Sequence, residues 1–140
     1  MTDGAGSRTA DRVERFRAWL EALAEALEGA DLTALDRLFA LEASYRPGPF
    51  EPVLRGRRRI RAHLEAELAD RGTVAVSARA LGVGATYGVA HWVVGWNADG
   101  VDRMEDGVLL VAFDPLGRCT SLRAWSAVGE GKAPAAPEMN

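Results

Sequence analysis

The stretch that decides the fold is residues 88–113, GVAHWVVGWNADGVDRMEDGVLLVAF, together with residues 114–125, DPLGRCTSLRAW. Apolar and polar side chains alternate along it, and turn-forming residues interrupt it at 97–100 and 114–117. Alternation with a period of two is typical of strands that bury one face, and such turns connect antiparallel neighbours. The stretch therefore predicts three consecutive antiparallel strands.

Three helix-like segments precede these strands. Residues 9–28 carry an apolar stripe at spacings of three and four, formed by Val13, Phe16, Trp19, Leu20, Leu23 and Leu27. Asp31 is the expected N-cap of a short second helix that includes Leu35 and Phe39. A third helix is predicted over residues 57–71, with Gly72 just after its last turn.

Two further strands are predicted, over residues 43–50 and 74–83. Pro47 and Pro49 lack amide donors, so the first of these strands is expected at an edge or at the mouth of the sheet. A helical period followed by a strand period indicates an α+β fold. We expect a cone-shaped, curved, mainly antiparallel sheet (an α+β barrel) wrapped around three N-terminal helices, with a pocket inside it.

The length and composition predict one globular domain. The 140 residues are 48% hydrophobic and 26% charged, which is enough to bury a core without disulfides or a metal. We place the domain at residues 9–128, with disordered tails at 1–8 and 129–140, because neither end has hydrophobic periodicity.

Charge and hydropathy argue against several classes of partner. The net charge is −3, and the arginines over residues 55–61 lack interleaved aromatic residues, so we expect no nucleic-acid binding. No apolar run reaches the roughly 18 residues of a membrane span, so no membrane association is expected. The single cysteine, Cys119, fits a reducing cytoplasm, and the abundance of Ala, Arg and Gly suggests a bacterial source.

The chain resembles the nuclear-transport-factor-two-like superfamily, and within it the SnoaL-like branch. The resemblance lies in residues 43–50 (ASYRPGPF), in Gly56 opening the segment 60–68, and in residues 106–119 (DGVLLVAFDPLGRC) with 122–125 (LRAW). It spans about residues 10–128. This superfold hosts isomerases, cyclases, dehydratases, epoxide hydrolases and non-enzymes, so the resemblance implies the fold and a pocket rather than one activity.

Familiar catalytic groups of this superfamily are missing from their expected positions. The resemblance puts the general-base Asp of ketosteroid isomerases at Pro47, their oxyanion-hole Asp at Leu109 and their Tyr at Leu23. The Asp-Arg-Asp set of limonene-epoxide-hydrolase-like enzymes would fall among Trp92, Val94 and Trp96, with its last Asp near Ser126. We therefore expect neither of these two catalytic sets in this chain.

Alternation assigns the sheet residues to two faces. One face includes Trp92, Trp96 and Glu105, and the resemblance places it inside the cone. The other includes His91 and Asp106, and the resemblance places it outside, where we predict a homodimer because an isolated domain would expose apolar side chains there. These outer apolar side chains are Val93, Val108, Leu110 and Trp125. If Trp96 closes the first hairpin against Val101, then Trp92 opposes Glu105 and His91 opposes Asp106; a shift by two residues would change partners but not faces.

Glu105, His63 and Tyr45 are the candidate catalytic residues. A carboxylate beside indole surface is suited to general acid–base work, a histidine to proton transfer and a tyrosine to anchoring a substrate oxygen. The alternative for each is structural: a Glu105 that pairs with Arg103 or with solvent, a hydrogen-bonded histidine, and a packed aromatic ring. We expect the pocket to be completed by the substrate-binding residues Leu23, Phe50, Ile60, Trp92, Trp96, Leu109, Leu122 and Ser126.

Two classes of function follow. One is a cofactor-independent isomerase, cyclase or lyase that acts on a small hydrophobic metabolite. The other is a non-catalytic small-molecule-binding or dimerisation module of the same fold. No cofactor or metal site is predicted, because the two histidines and one cysteine are widely separated and Gly82-x-Gly84 precedes a strand. The outer residues His91, Asp106 and Arg123 are interpreted as an interface ion network, with a catalytic pair as the alternative.

Overall fold

The computed structural model describes residues 4–132. Within these residues, three helices and six strands follow one another: α1 Gly4–Glu28, α2 Leu32–Leu38, β1 Phe39–Arg46, β2 Leu54–Arg55, α3 Arg57–Arg71, β3 Val74–Val83, β4 Tyr87–Ala98, β5 Val101–Phe113 and β6 Cys119–Glu130. The fold is the α+β cone predicted from the sequence. Among the helices of residues 4–132, none has the length and apolar character needed to cross a membrane.

The strands form one sheet in the order β2-β1-β6-β5-β4-β3. All neighbours are antiparallel except β1 and β6, which run parallel, so the sheet is mixed rather than fully antiparallel. The hydrogen-bond ladders are interrupted by irregular pairing at three places: between β1 and β6, between β3 and β4, and between β5 and β6. Such bulges increase the local bend, which allows a sheet of this length to curve around helices.

Several predicted boundaries shift in the structure. Helix α1 begins at Gly4, within the stretch expected to be a tail, and β6 continues to Glu130. The remainder of the two predicted tails, residues 1–3 and 133–140, lies outside the described residues. Strand β1 starts at Phe39 and ends before Pro47, so the prolines follow the strand instead of interrupting it. The edge position predicted for β1 is wrong, because the two-residue β2 pairs with it and forms the edge.

The first hairpin closes two residues away from the predicted register. Ala98 pairs with Val101, and Asp99 and Gly100 both have positive φ, at 52° and 85°. A two-residue turn with two positive φ angles is the tight type that matches strand twist. Trp92 therefore opposes Gly107, and Val94 opposes Glu105. The faces are unchanged, because a shift of two preserves alternation.

The core lies between the helices and the concave face of the sheet. The predicted stripe of α1 is buried there except for Val13, which is only partly buried. Trp19 makes edge-to-face contacts with Phe39 and Phe113 at centroid distances of 6.1 and 5.4 Å. Its indole nitrogen donates to the carbonyl of Leu38 at 3.1 Å. Asp31 caps α2 as predicted, accepting a hydrogen bond from the amide of Ala34. This packing leaves a gap between α1, α3 and strands β4 to β6.

Candidate functional site

The gap is an internal cavity of about 40 Å³. Six of the residues predicted to form a pocket line it: Leu23, Tyr45, Trp92, Glu105, Leu109 and Leu122. Most of its wall is apolar, and its polar side chains come from β1, α3 and β5. A typical ligand pocket holds roughly 300–1,000 Å³. The cavity as it stands therefore accommodates water and small substrate groups.

The polar end of the cavity is built by one face of α3. His63, Glu67 and Arg71 follow one another at intervals of four residues, which places them on one side of a helix. The Arg71 guanidinium lies 2.8 Å from a carboxylate oxygen of Glu105 on β5 and 3.9 Å from one of Glu67. One guanidinium thus bridges two carboxyl groups from different elements.

Glu105 is held from two sides. Its second carboxylate oxygen accepts a hydrogen bond from the hydroxyl of Ser126 on β6. Trp96 covers the guanidinium of Arg71, whose central carbon lies 3.9 Å from the ring centroid. A cation stacked on an indole and paired with a carboxylate has little freedom to move. The structure therefore fixes the positions of Arg71 and Glu105 relative to each other.

Glu67 is the carboxyl group of the site whose protonation is most affected by its surroundings. Burial raises its pKa above the ordinary value, and the negative charge of Glu105 acts in the same direction. The positive charges of Arg71 and His63 oppose this shift but do not cancel it. Glu67 consequently holds its proton to a higher pH than an exposed glutamate does.

His63 and Tyr45 complete the polar end. Their rings meet edge to face, with centroids 5.7 Å apart. The Nε2 atom of His63 lies 3.6 Å from a carboxylate oxygen of Glu67, too far for a hydrogen bond, and it is buried without a hydrogen-bond partner among the described residues. Burial, and then the charges of Glu67 and Glu105, raise the pKa of Tyr45 far above its ordinary value. Tyr45 therefore remains a neutral hydroxyl that can donate a hydrogen bond.

Five of the predicted pocket residues do not line the cavity. Two of them, His63 and Ser126, contact the lining residues Tyr45 and Glu105 without lining the cavity themselves. Phe50 is 97% exposed, because it lies in the proline-bounded turn after β1 and not on a strand. Ile60 is fully buried, but it faces α2 beside Leu35 and Phe39. Trp96 does not line the cavity wall and instead covers Arg71. The predicted pairing of Glu105 with Arg103 is also not what the structure contains, since Glu105 pairs with Arg71.

Sequence reasoning did not identify Glu67 and Arg71. The signal that could have found them is the i, i+4, i+8 polar stripe starting at His63, which runs beside the apolar stripe of Ile60, Leu64 and Leu68. A polar stripe next to a buried one is usually solvated, so the pattern alone does not indicate a site. The ion pair of Arg71 with Glu105 on β5 is what distinguishes this stripe from a solvated one.

The outer face of the sheet holds a separate pair. His91 Nε2 lies 2.7 Å from a carboxylate oxygen of Asp106, and the guanidinium of Arg123 lies 5.0 Å from the ring of Trp125.

Cys119 is buried, and burial raises its pKa to about 12, which leaves the thiol protonated near neutral pH. Within residues 4–132, no three His, Cys, Asp or Glu side chains are grouped so that they could hold a metal ion.

Comparison with known proteins establishes the fold. No protein-family model matches the chain, and no curated protein matches it. A hypothetical protein from Catenulispora acidiphila, described as having a ketosteroid isomerase-like fold and crystallised with trimethylamine, is 21% identical, with a TM-score of 0.67, over 76% of this chain and 83% of that one.

Two enzymes have the same architecture. The epoxide hydrolase/cyclase-like enzyme SalBIII, which has a role in pyran ring formation in the polyether salinomycin, is 14% identical with a TM-score of 0.72, over 87% of this chain and 97% of its own. An LEH-like epoxide hydrolase from M. tuberculosis is 18% identical with a TM-score of 0.64, over 86% and 85% of the two chains. At such identities the likeness shows a shared fold and leaves activity to the site itself.

Proposed function

We propose that this chain, which has the ketosteroid isomerase-like cone fold, is a cofactor-independent acid–base enzyme that acts on a small, mostly apolar molecule. The observation that carries the proposal is the bridge of Glu67, Arg71 and Glu105 at the polar end of an apolar cavity. Two carboxyl groups with different surroundings provide an acid and a base in one site. This bridge takes the place of the catalytic sets that the sequence lacks on its strands.

Epoxide opening is the reaction that best fits two carboxyl groups joined by a guanidinium, and two of the structural neighbours are described as epoxide hydrolases or hydrolase/cyclases. Glu105 accepts a proton from a water molecule as the water oxygen bonds to an epoxide carbon. The carbon–oxygen bond of the ring breaks, and Glu67 gives its proton to the departing oxygen. The product is a diol, and proton exchange with water resets both carboxyl groups.

The remaining polar groups have supporting roles in this proposal. Arg71 keeps its charge throughout and holds Glu105 in position. The Tyr45 hydroxyl donates a hydrogen bond to the epoxide oxygen. His63, 3.6 Å from Glu67, returns a proton to it between turnovers. The apolar wall around Trp92 binds the body of the substrate, and if a hydroxyl of the substrate replaces water the same chemistry closes a ring.

A panel of small epoxides tests this proposal, with diol formation measured by chiral gas chromatography. We expect turnover by the wild-type protein and a loss of at least about a hundredfold in both Glu67→Gln and Glu105→Gln, the usual scale for removing a general acid or base. Glu65→Gln is the matched control, because Glu65 lies on the same helix and is exposed. Equal activity of all four proteins, or none in the wild type, would contradict the proposed reaction.

The size of the cavity supports a second candidate, a non-catalytic module. A volume of about 40 Å³ leaves little room for a metabolite, and the Arg71–Glu105 pair under Trp96 also has the geometry of a structural ion pair. In this case Glu105→Gln lowers stability without affecting any turnover. Measuring unfolding and turnover on the same variants separates the two candidates.

The proposal also includes a bacterial, cytoplasmic homodimer that pairs through the outer face of the sheet. Val108 and Trp125 are 36% and 40% exposed on this face, and they are the apolar side chains that a partner would cover. Val93, expected to need such cover, is already buried within the chain at 1% exposure. The dimer therefore depends on fewer apolar contacts than the sequence suggested.

A further inference from the structure

A second cavity lies outside the internal one. It measures about 220 Å³ and lies where the N-terminal half of α1 meets the β3–β4 and β5–β6 turns. It shares no lining residue with the internal cavity. Its volume approaches that of a small-ligand pocket, whereas the internal cavity is much smaller.

Three aromatic rings, those of Phe16, Tyr87 and Phe113, form part of its wall. Phe16 meets Phe113 edge to face at a centroid distance of 5.9 Å. The ring of Tyr87 lies against Gly84 so closely that a Cβ there would fall 2.2 Å from it. A glycine at this position lets the ring lie flat against the turn. The cavity thus has a pre-formed aromatic wall of the kind that binds planar molecules.

Two arginines of α1 give the cavity its charge. Arg12 and Arg15 are three residues apart, so they lie side by side on the helix, and both line the cavity. Neither forms an ion pair or a hydrogen bond with any residue of the described range 4–132. Like charges about one turn apart on a helix repel each other, and an anion bound between them relieves this repulsion.

The carboxylate that lines the cavity does not neutralise these arginines. Asp114 accepts hydrogen bonds from the amides of Leu116 and Arg118 and pairs with the Arg118 guanidinium at 3.2 Å. These contacts hold its pKa below the ordinary value, and its charge is directed into its own turn. Asp114 therefore does not pair with the guanidinium groups of Arg12 and Arg15 beside the aromatic wall.

We propose that this cavity is a second binding site, for a small aromatic carboxylate. The carboxylate of the ligand pairs with Arg12 and Arg15, and its ring stacks in the space bounded by Phe16, Tyr87 and Phe113. Guanidinium groups recognise planar carboxylates through paired hydrogen bonds, and the aromatic wall selects an apolar body over a bare inorganic anion.

Titration with benzoate tests the site, with binding measured by calorimetry and by the NMR amide shifts of residues 84–87, 114, 116 and 117. We expect saturable binding of benzoate, weaker binding of benzamide and of inorganic phosphate, and a loss of at least about tenfold in the Arg12→Gln/Arg15→Gln double variant. Arg17→Gln is the control, because Arg17 lies on the same helix but does not line the cavity. The double Arg→Lys variant should keep part of the affinity, since it keeps the charge.

Several results would overturn the proposal. Benzamide binding as tightly as benzoate would exclude charge recognition, and phosphate binding more tightly than benzoate would exclude the aromatic wall. No shifts at millimolar benzoate in the wild-type protein would exclude the site. Circular dichroism of the double variant establishes that it is folded, so that a loss of binding is due to the missing guanidinium groups.

Discussion

Burial raises the pKa of the Glu67 carboxyl group above its ordinary value, although Arg71 and His63 act in the opposite direction. The raised pKa has a consequence for stability, because folding favours the protonated group. This stabilisation is fully present below the ordinary value of 4.5 and is lost as the pH rises through the pKa of the folded state. As the pH rises above 4.5, the cost of ionising a buried carboxyl group therefore reduces the stability of the fold.

We predict that Glu67→Gln, which is uncharged at every pH, makes the protein more stable than the wild type at pH 7–8. The difference should shrink as the pH falls and should vanish below 4.5, where both side chains are neutral. Urea unfolding of the two proteins across this pH range measures it. A constant difference at all pH values would show that the pKa of Glu67 is unchanged on folding.

Arg71 and Glu105 form the strongest ion pair of the candidate site, with side chains only 13% and 17% exposed. We predict that Arg71→Met destabilises the protein by about 3 kcal/mol, because it leaves the Glu105 charge without its partner. Adding Glu105→Gln should recover part of this loss, since the unpaired charge is then removed. Equilibrium unfolding of the two single variants and the double variant gives the coupling, and strictly additive losses would contradict the pairing.

The packing of β5 against β6 depends on one glycine. A Cβ on Gly107 would fall 2.2 Å from the carbonyl oxygen of Trp125 and 2.5 Å from the Cα of Ser126, and both of these atoms are backbone. A Cβ on Gly129, also in this pair of strands, would meet no atom within 4 Å. The two glycines therefore offer a matched comparison within one hairpin.

We predict that Gly107→Ala lowers the free energy of unfolding by about 1–3 kcal/mol, since the strands must separate locally to admit a methyl group. Gly129→Ala should change it by less than about 0.5 kcal/mol. Thermal unfolding of both variants measures the difference. If the two substitutions lower the free energy of unfolding by the same amount, the close approach of β5 and β6 at Gly107 is not a constraint on the fold.

At the scale of the whole molecule, the outer face of the sheet is where a second copy would bind. We predict that the wild-type protein has twice the mass of one chain at micromolar concentration and that Trp125→Glu reduces it to a monomer, because the substitution places a charge in an apolar contact. Light scattering measures both. Leu116→Glu is the control, since Leu116 is 77% exposed but lies in the β5–β6 turn. A monomeric wild type would exclude this dimer.

Much of the fold and part of the candidate site follow from local periodicity. The stripe of α1, the cap at Asp31 and the shared face of Trp92 and Glu105 are all properties of a few neighbouring residues, so they can be predicted without knowing the rest of the chain. The inner and outer faces survive even the two-residue change in the first hairpin, because alternation depends only on parity.

Tertiary structure decided what local patterns do not encode. The guanidinium of Arg71 meets Glu105 across 34 positions of sequence (105 minus 71), and only the packing of α3 over the curved sheet brings them together. The same packing turns Ile60 toward α2, leaves Phe50 in an exposed turn and limits the internal cavity to about 40 Å³. The sequence alone determined which residues share a face of a helix or a strand. Long-range packing settled which of them touch, because contact between distant segments depends on how the whole chain fills its interior.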